Sequence, residues 1–339
     1  MKIFKKSLSL ILMAAMVVTL VACGGSNSKK ADNGAQSSAE KGGSGFQKIT
    51  LASGGASGTY YGFSGVVAQR LNEVLKDKLN ISVVTTGASK ANAIMIDDND
   101  AQIAIIQNDV MSYAYKATDM FDGEKPITSF SAIASIYPEA IQIVTNKSIN
   151  SVEDLRGKRI SVGDAGSGTE FNAKQILDAY GINIDKDIVK SNQSFQDSCD
   201  ALKNGTLDAA FLTAGHPTTA VETLATNYDF NILSIDDAHA NELIKKYGFY
   251  AKVTIEKDAY SVLKEDVPTV AVMATYIANN KLPEDTVYAF TKALFDEKDA
   301  IGANHQKGKL ININKATDGI SIPFHPGAEK YYKEQGILK

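Results

Sequence analysis

Ser53-Gly54-Gly55-Ala56-Ser57-Gly58-Thr59-Tyr60-Tyr61 and, about 110 residues later, Val162-Gly163-Asp164-Ala165-Gly166-Ser167-Gly168-Thr169-Glu170-Phe171 are the stretches on which the fold turns. Each closes a short β-branched run and opens a helical period, Ser-Gly-Thr recurs in both, and an aromatic follows two positions later. A second pair of landmarks keeps the offset. Asp98-Asn99-Asp100-Ala101 precedes a strand ending at Ile106, as Lys203-Asn204-Gly205-Thr206-Leu207-Asp208-Ala209 precedes one ending at Leu212. Each half reads strand, glycine loop, helix, strand, helix, strand. The period is far longer than that of solenoid repeats, so it predicts two similar lobes rather than an array.

The flanking segments agree. Ile49-Thr50-Leu51, Ile81-Ser82-Val83-Val84, Gln102 to Ile106, Arg159 to Val162 and Asp208 to Leu212 alternate with helical periods over Gly58 to Lys76, from Ser89, and through Ala173 to Tyr180. Strands alternating with helices predict an α/β fold with largely parallel sheets covered on both faces. The second glycine-loop unit is nested inside the first lobe's chain, which predicts lobe 1 from 46–140 and 277–339 and lobe 2 from 141–276. The chain should cross between them near Glu139 to Val144 and again near Val267 to Tyr276.

Outward from the lobes, residues 1–22 carry a basic start, an apolar run from Ser7 to Val21 and small residues before Cys23. This pattern is a secretory signal, and the thiol directly after Leu20-Val21-Ala22 matches a lipobox, so Cys23 is expected to be the acylated mature N-terminus. Residues 23–45 contain no apolar cluster able to offset the entropy of ordering them, and read as a flexible tether. Cys199, the one other cysteine, sits on an amphipathic stretch and reads as a small core residue with no disulfide partner. A formal net charge of −4 with no basic run beyond the signal argues against nucleic acid as a partner. No later stretch is apolar enough to span a bilayer. The expected location is outside the cytoplasm, lipid-anchored to the cell membrane.

In an open α/β sheet, ligands bind beyond the carboxyl ends of the strands, where both Ser-Gly-Thr loops start a helix. A helix N-terminus presents unpaired N–H groups and a positive dipole end, and glycine allows close approach. Ser57, Gly58 and Thr59 in one loop and Gly166, Ser167, Gly168 and Thr169 in the other are therefore candidate anion ligands, although the hydroxyls serve equally well as N-caps. Their duplication favours the site. Neither loop ends in Gly-Lys-Ser/Thr or has dinucleotide spacing. The three arginines, Arg70, Arg156 and Arg159, lie outside these loops, which leaves recognition to amides and hydroxyls. With no tryptophan in the chain, Tyr60 and Tyr61 are the candidate aromatic walls, Tyr61 favoured because it aligns with Phe171 and packing beneath the loop being the alternative for Tyr60. Ser89, Gln107, Asn108 and His216 sit at other strand ends, where each could face a ligand or cap a helix.

The catalytic inventory is thin. His216, His239, His305 and His325 are scattered, no metal spacing occurs, and neither glycine loop forms a Gly-x-Ser-x-Gly elbow. No catalytic residue, metal or cofactor is expected.

Taken together, Ser53 to Tyr61, Thr86 to Ser89, Gln107-Asn108-Asp109, Ile136-Tyr137-Pro138-Glu139-Ala140, Ser151 to Arg159, Gly166 to Thr169 and His325 to Tyr332 resemble the TAXI type of solute receptor for tripartite ATP-independent periplasmic (TRAP) transporters. The resemblance covers nearly all of the mature chain. It implies a two-lobe type II periplasmic-binding-protein fold with a hinge, ligands such as glutamate, glutamine or 2-oxo-dicarboxylates, and a separate TRAP membrane permease driven by an ion gradient. Relatives often carry a small or aliphatic residue where this chain has His216. The expectation is a monomeric extracytoplasmic receptor for a small organic anion. Two alternatives are a sensor reporting ligand to a membrane kinase and an enzyme on the same fold.

Overall fold

The computed structural model describes residues 45–339, so the signal, Cys23 and the tether lie outside the described residues. Ten strands form one continuous sheet: β1 (Gln47–Ala52), β2 (Leu79–Val84), β3 (Ile103–Gln107), β4 (Phe130–Thr145), β5 (Arg159–Ser161), β6 (Val189–Ser191), β7 (Ala209–Ala214), β8 (Asn231–Ile232), β9 (Ala251–Ile255) and β10 (Val267–Asn279). The helices are α1 (Thr59–Val74), α2 (Ser89–Asp97), α3 (Asn108–Lys116), α4 (Gly168–Ala179), α5 (Phe195–Lys203), α6 (Thr219–Ala225), α7 (Asp237–Tyr247), α8 (Glu284–Asp296), α9 (Lys298–Asn304) and α10 (Pro326–Glu334).

The sheet order is β2-β1-β3-β10-β4-β7-β5-β6, with β8 beside β4 and β9 beside β10. Read from either end it has one plan. A parallel trio, β2-β1-β3 or β6-β5-β7, meets a long antiparallel strand, β10 in the first half and β4 in the second. The repeat in the sequence is thus a repeat in space, and the architecture is the two-lobe type II arrangement with β4 and β10 joining the lobes.

These two strands pair with each other over most of their length, with register shifts at Ala274/Thr275 and Tyr276/Ile277. Shifts of this kind raise local twist and bend a strand, and here they fall where β10 runs between β3 and β4. Pro138, lacking an N–H, falls beside this irregular stretch, where a missing ladder bond costs least.

Each lobe is a sheet with apolar residues on both faces. In the first, Ile49, Leu51, Phe63, Val67, Leu71, Tyr276, Phe290 and Tyr332 fill one side and Ala104, Ile106, Met111, Phe121 and Ile277 the other. In the second, Ile143, Ile160, Ile176, Phe211 and Val272 oppose Val144, Leu202, Leu212, Phe230 and Tyr260. Cys199 lies in this last cluster, and burial pushes its thiol up to about 12. It is a core residue.

Candidate functional site

The lobes are closed on one another. Thr59 Oγ1 donates to the Gly215 carbonyl at 2.8 Å, Ala220 N donates to Ser57 O at 3.3 Å, and Gln107 Nε2 donates to Asn172 Oδ1 at 3.1 Å. Asn172 Nδ2 in turn donates to Asp109 Oδ2 at 2.9 Å, and Gln175 Nε2 to the Tyr113 hydroxyl at 3.1 Å. Lys307 Nζ reaches the His216 carbonyl. Two glycines make the approach possible: an added Cβ would lie 1.5 Å from Gln107 Oε1 at Gly168, and 2.7 Å from Lys307 Cε and 3.0 Å from Thr59 Cγ2 at Gly215.

Between the lobes is a narrow cleft, part of it open at the mouth. Its wall is made largely of helix beginnings: Gly54, Gly55, Ser57, Gly58, Thr59 and Tyr60 at α1, Ala88 and Ser89 at α2, Asp164, Ser167, Gly168 and Thr169 at α4, and Phe195 at α5. Gln107, Glu139, Thr213 and Ala214 complete it from strand ends. The loop before α4 needs glycine at Gly163, whose φ of 91° would strain any other residue and whose added Cβ would lie 2.8 Å from Thr169. The Thr59, Tyr60, Gly168 and Thr169 amides, first in their helices, make no hydrogen bond to another described residue. Such amides have no intrahelical acceptor by construction and suit a negatively charged group.

The hydroxyls serve the fold at the same time. Ser167 Oγ accepts from Glu170 N at 3.2 Å as the N-cap of α4, Thr169 Oγ1 accepts from Thr213 N at 3.4 Å, and Ser89 Oγ accepts from Gln107 N at 3.2 Å. In each case the hydroxyl oxygen is the acceptor, so its proton remains available to a second partner.

Of the residues expected from sequence, Ser57, Gly58, Thr59, Ser89, Gln107, Ser167, Gly168 and Thr169 line this cleft. Four do not. Tyr61 points outward, 38% exposed, whereas Tyr60, 7% exposed, turns inward and donates from its hydroxyl to Glu139 Oε1 at 2.6 Å. Of the two candidate walls it is Tyr60 and not the favoured Tyr61 that faces the cleft, because the buried face of α1 runs Tyr60, Phe63, Val67, Leu71. Phe171, the residue aligned with Tyr61, packs edge-on to Tyr113, 5.3 Å between centroids. Asn108 is buried behind the cleft, where Oδ1 accepts from Met273 N at 2.9 Å. Gly166 lies at an outer rim with Lys90 and Lys190, and His216 pairs with Glu256 at 3.0 Å away from the lining. The arginines all form outer ion pairs, Arg70 with Glu297, Arg156 with Asp187 and Arg159 with Asp208.

What the sequence reading missed is the charge of the cleft. Two carboxylates, Glu139 and Asp164, line it, and no lysine or arginine does. Burial drives the Glu139 carboxyl well above the usual carboxylate range against the opposing Tyr60 hydrogen bond, and burial also raises Asp164. Burial lowers Lys307 to about 8 at the closure contact and lowers His216.

Asp109, behind the cleft, is raised by burial to about 6 from an ordinary 3.8, with the Asn172 hydrogen bond opposing. A carboxyl raised by folding stabilises the fold fully below its unfolded pKa, and that contribution is lost as pH rises through the folded value. Asp109→Asn should therefore gain on the wild type by up to about 3 kcal/mol between about pH 4 and pH 7. Urea unfolding of both proteins at the two pH values measures this, and a difference independent of pH would mean that Asp109 titrates normally.

Among the described residues there is no cluster of His, Cys, Asp and Glu able to hold a metal ion, and no helix long and apolar enough to cross a membrane. The model of the NMT1-like family matches residues 51–336. Among solved structures, the periplasmic aliphatic sulphonate binding protein SsuA from Escherichia coli is 14% identical with a TM-score of 0.48, over 85% of this chain and 83% of that one. PhnD1 from Prochlorococcus marinus, in complex with methylphosphonate, is 12% identical with a TM-score of 0.49, over 86% and 99%. A putative L-cystine ABC transporter protein from Listeria monocytogenes is 15% identical with a TM-score of 0.48, over 80% and 98%.

Proposed function

We propose the following for this chain, which belongs to the NMT1-like family: it is the extracytoplasmic solute receptor of a secondary transporter of the TRAP type, capturing a small organic anion between its lobes and delivering it to a membrane permease. In this reading 46–140 with the end of the chain form one lobe and the intervening residues from 141 the other, the return crossing falling within β10 before Ala274, where that strand begins to pair with β3; the protein acts as a monomer, and acylation of Cys23 holds it at the membrane. The observation that carries the reading is the meeting of two helix N-termini, α1 from one lobe and α4 from the other, on one enclosed cleft. A carboxylate there is satisfied by first-turn amides and by Ser57, Ser89, Ser167 and Thr169 hydroxyls, without arginine. Ligands of the glutamate, glutamine or dicarboxylate kind fit such a set. A catalytic reading lacks support, since no histidine lines the cleft to activate Ser57 or Ser167. A kinase-linked sensor would use the same site with a different partner.

Mass spectrometry of solute released from the purified protein tests the substrate class. Replacing both Ser167 and Thr169 by alanine removes two donors and leaves the amides, so affinity for that solute should fall by about 1 to 3 kcal/mol, roughly 5-fold to 150-fold. Loss of the Ser167 cap should cost about 1 kcal/mol of stability in the same variant. Calorimetric titration reads the first and thermal unfolding the second, and unchanged affinity would move the site elsewhere.

A further inference from the structure

We propose that closing the lobes binds a proton at Asp109: the carboxyl lies in the interlobe contact, is sealed there as the neutral acid, and sheds its proton when the lobes part, so that acid favours the closed form. The inference concerns the motion that encloses a solute and not the kind of solute. Asp109 stands in the first turn of α3, on the first lobe, and is 1% exposed. Oδ1 accepts from Val110 N, within the same turn, at 2.8 Å, whereas Oδ2 accepts from Asn172 Nδ2, on α4 of the other lobe, at 2.9 Å. The cover over it also comes from that lobe. The Tyr250 hydroxyl accepts from Asn172 Nδ2 at 3.0 Å and donates to Gln175 Oε1, and Gln175 Nε2 returns to Tyr113, one helical turn after Asp109. Phe171 and Phe249 pack edge-on to Tyr113, at 5.3 and 5.6 Å between centroids. Parting the lobes withdraws Asn172, Gln175, Tyr250 and both phenylalanines together and admits water to the carboxyl.

No cation answers the charge. Asp109 has no ion pair among the described residues, and Lys90, on the neighbouring α2, is held by Glu124. Glu170 and Lys174 of α4 lie at the outer rim, and β3 and β10, which pack on α3, carry no charged residue. The titratable groups that face Asp109 are Asp119 in the turn after α3, Tyr113 on α3 itself, Tyr250 ahead of β9 and Glu139 on β4. Each is acidic or neutral, so none of them holds the anion against its burial. The neutral acid keeps the Asn172 bond through its carbonyl oxygen, and the proton thus removes the charge without breaking the contact. Burial lifts the carboxyl to about 6 from an ordinary 3.8, so the closed form binds the proton more tightly, and through Asp109 the closed-to-open ratio should be roughly 10-fold higher at about pH 5 than at about pH 7. Glu139 and Asp164, raised by burial in the cleft, act in the same sense, while Lys307 and His216, lowered by burial at the other contact, oppose it.

Small-angle scattering of wild type and Asp109→Asn, both freed of solute by unfolding and refolding, reads the closed fraction between about pH 5 and about pH 7. Asparagine copies the neutral acid, so the other titrating groups are common to both proteins and the difference reports Asp109. The wild type should expand as pH rises, its closed-to-open ratio falling about 10-fold relative to the variant, which stays compact. Asn172→Asp sets a second carboxylate against Oδ2 and should be open near neutral pH and close again in acid, a recovery that mere loss of a contact would not show. A wild type whose radius does not change with pH, a change shared equally by Asp109→Asn, or an Asn172→Asp protein insensitive to pH overturns the proposal. The receptor reading stands in each case, since it rests on the cleft and not on the pH of closure.

Discussion

Gly168→Ala is expected to cost about 3 kcal/mol or more of solute affinity, roughly 150-fold, with little change in the unfolding of the solute-free protein. The added methyl would stand 1.5 Å from Gln107 Oε1, 2.5 Å from its Cδ and 3.2 Å from Val110 Cγ2, all on the opposite lobe. Gln107 is 2% exposed and bound to Asn172, so swinging it clear breaks that bond and pushes an amide into the cleft. The other escape is for the lobes to stay apart. Within its own lobe Gly168 begins α4 with helical backbone that alanine adopts readily, which confines the damage to closure. Titration calorimetry measures the affinity and scattering the compaction. A variant that binds normally and still compacts would show that the bound lobes do not meet at Gly168.

Gly327→Ala should damage the fold itself, by about 3 kcal/mol, which is the upper end of ordinary overpacking. Its added Cβ would lie 2.2 Å from Glu284 O and 2.5 Å from Tyr288 N, both backbone atoms of α8. No side chain can rotate away. The crossing of α10 over α8 would have to open, loosening Ala328, Tyr331 and Tyr332 from Phe290, Leu294 and Phe295. Gly65→Ala, inside α1 with no atom within 4 Å of an added Cβ, is the control and should stabilise by about 0.5 to 1 kcal/mol. Denaturant unfolding compares them. Similar values for the two would mean that α8 and α10 do not cross in backbone contact.

Much of the architecture was legible because duplication is visible without coordinates: Ser57-Gly58-Thr59 and Ser167-Gly168-Thr169 mark equivalent turns, and β-branched runs between helical periods mark the parallel trios. The facing of particular side chains was less so. Tyr60 and Tyr61 are adjacent, and a helix turns about 100° per residue, so choosing between them required the phase of α1. That phase was present in Phe63, Val67 and Leu71, three, seven and eleven positions after Tyr60. Aligning Tyr61 with Phe171 ignored it. Glu139 also had a signal, a lone charge in the otherwise uncharged run from Phe130 to Thr145. Asn108 had none, because its partner Met273 N lies 165 residues away on β10.

The sharing of β4 and β10 between the lobes also governs the order in which the protein can be assembled. Synthesis delivers β1, β2 and β3 early, but β10, which flanks β3, begins at Val267, and α10, which packs on α8 beneath that sheet, begins at Pro326. Until then β3 has an unpaired edge and Leu51, Phe63 and Leu71 lack Tyr276, Phe290 and Tyr332 to cover them. The second half waits as well, since its Ile143 and Phe211 pack on Val270 and Val272 of the same late strand. The second half cannot finish before β10 is made, nor the first before α10, so consolidation comes late in translation and is dominated by distant pairings, a slow kind of folding.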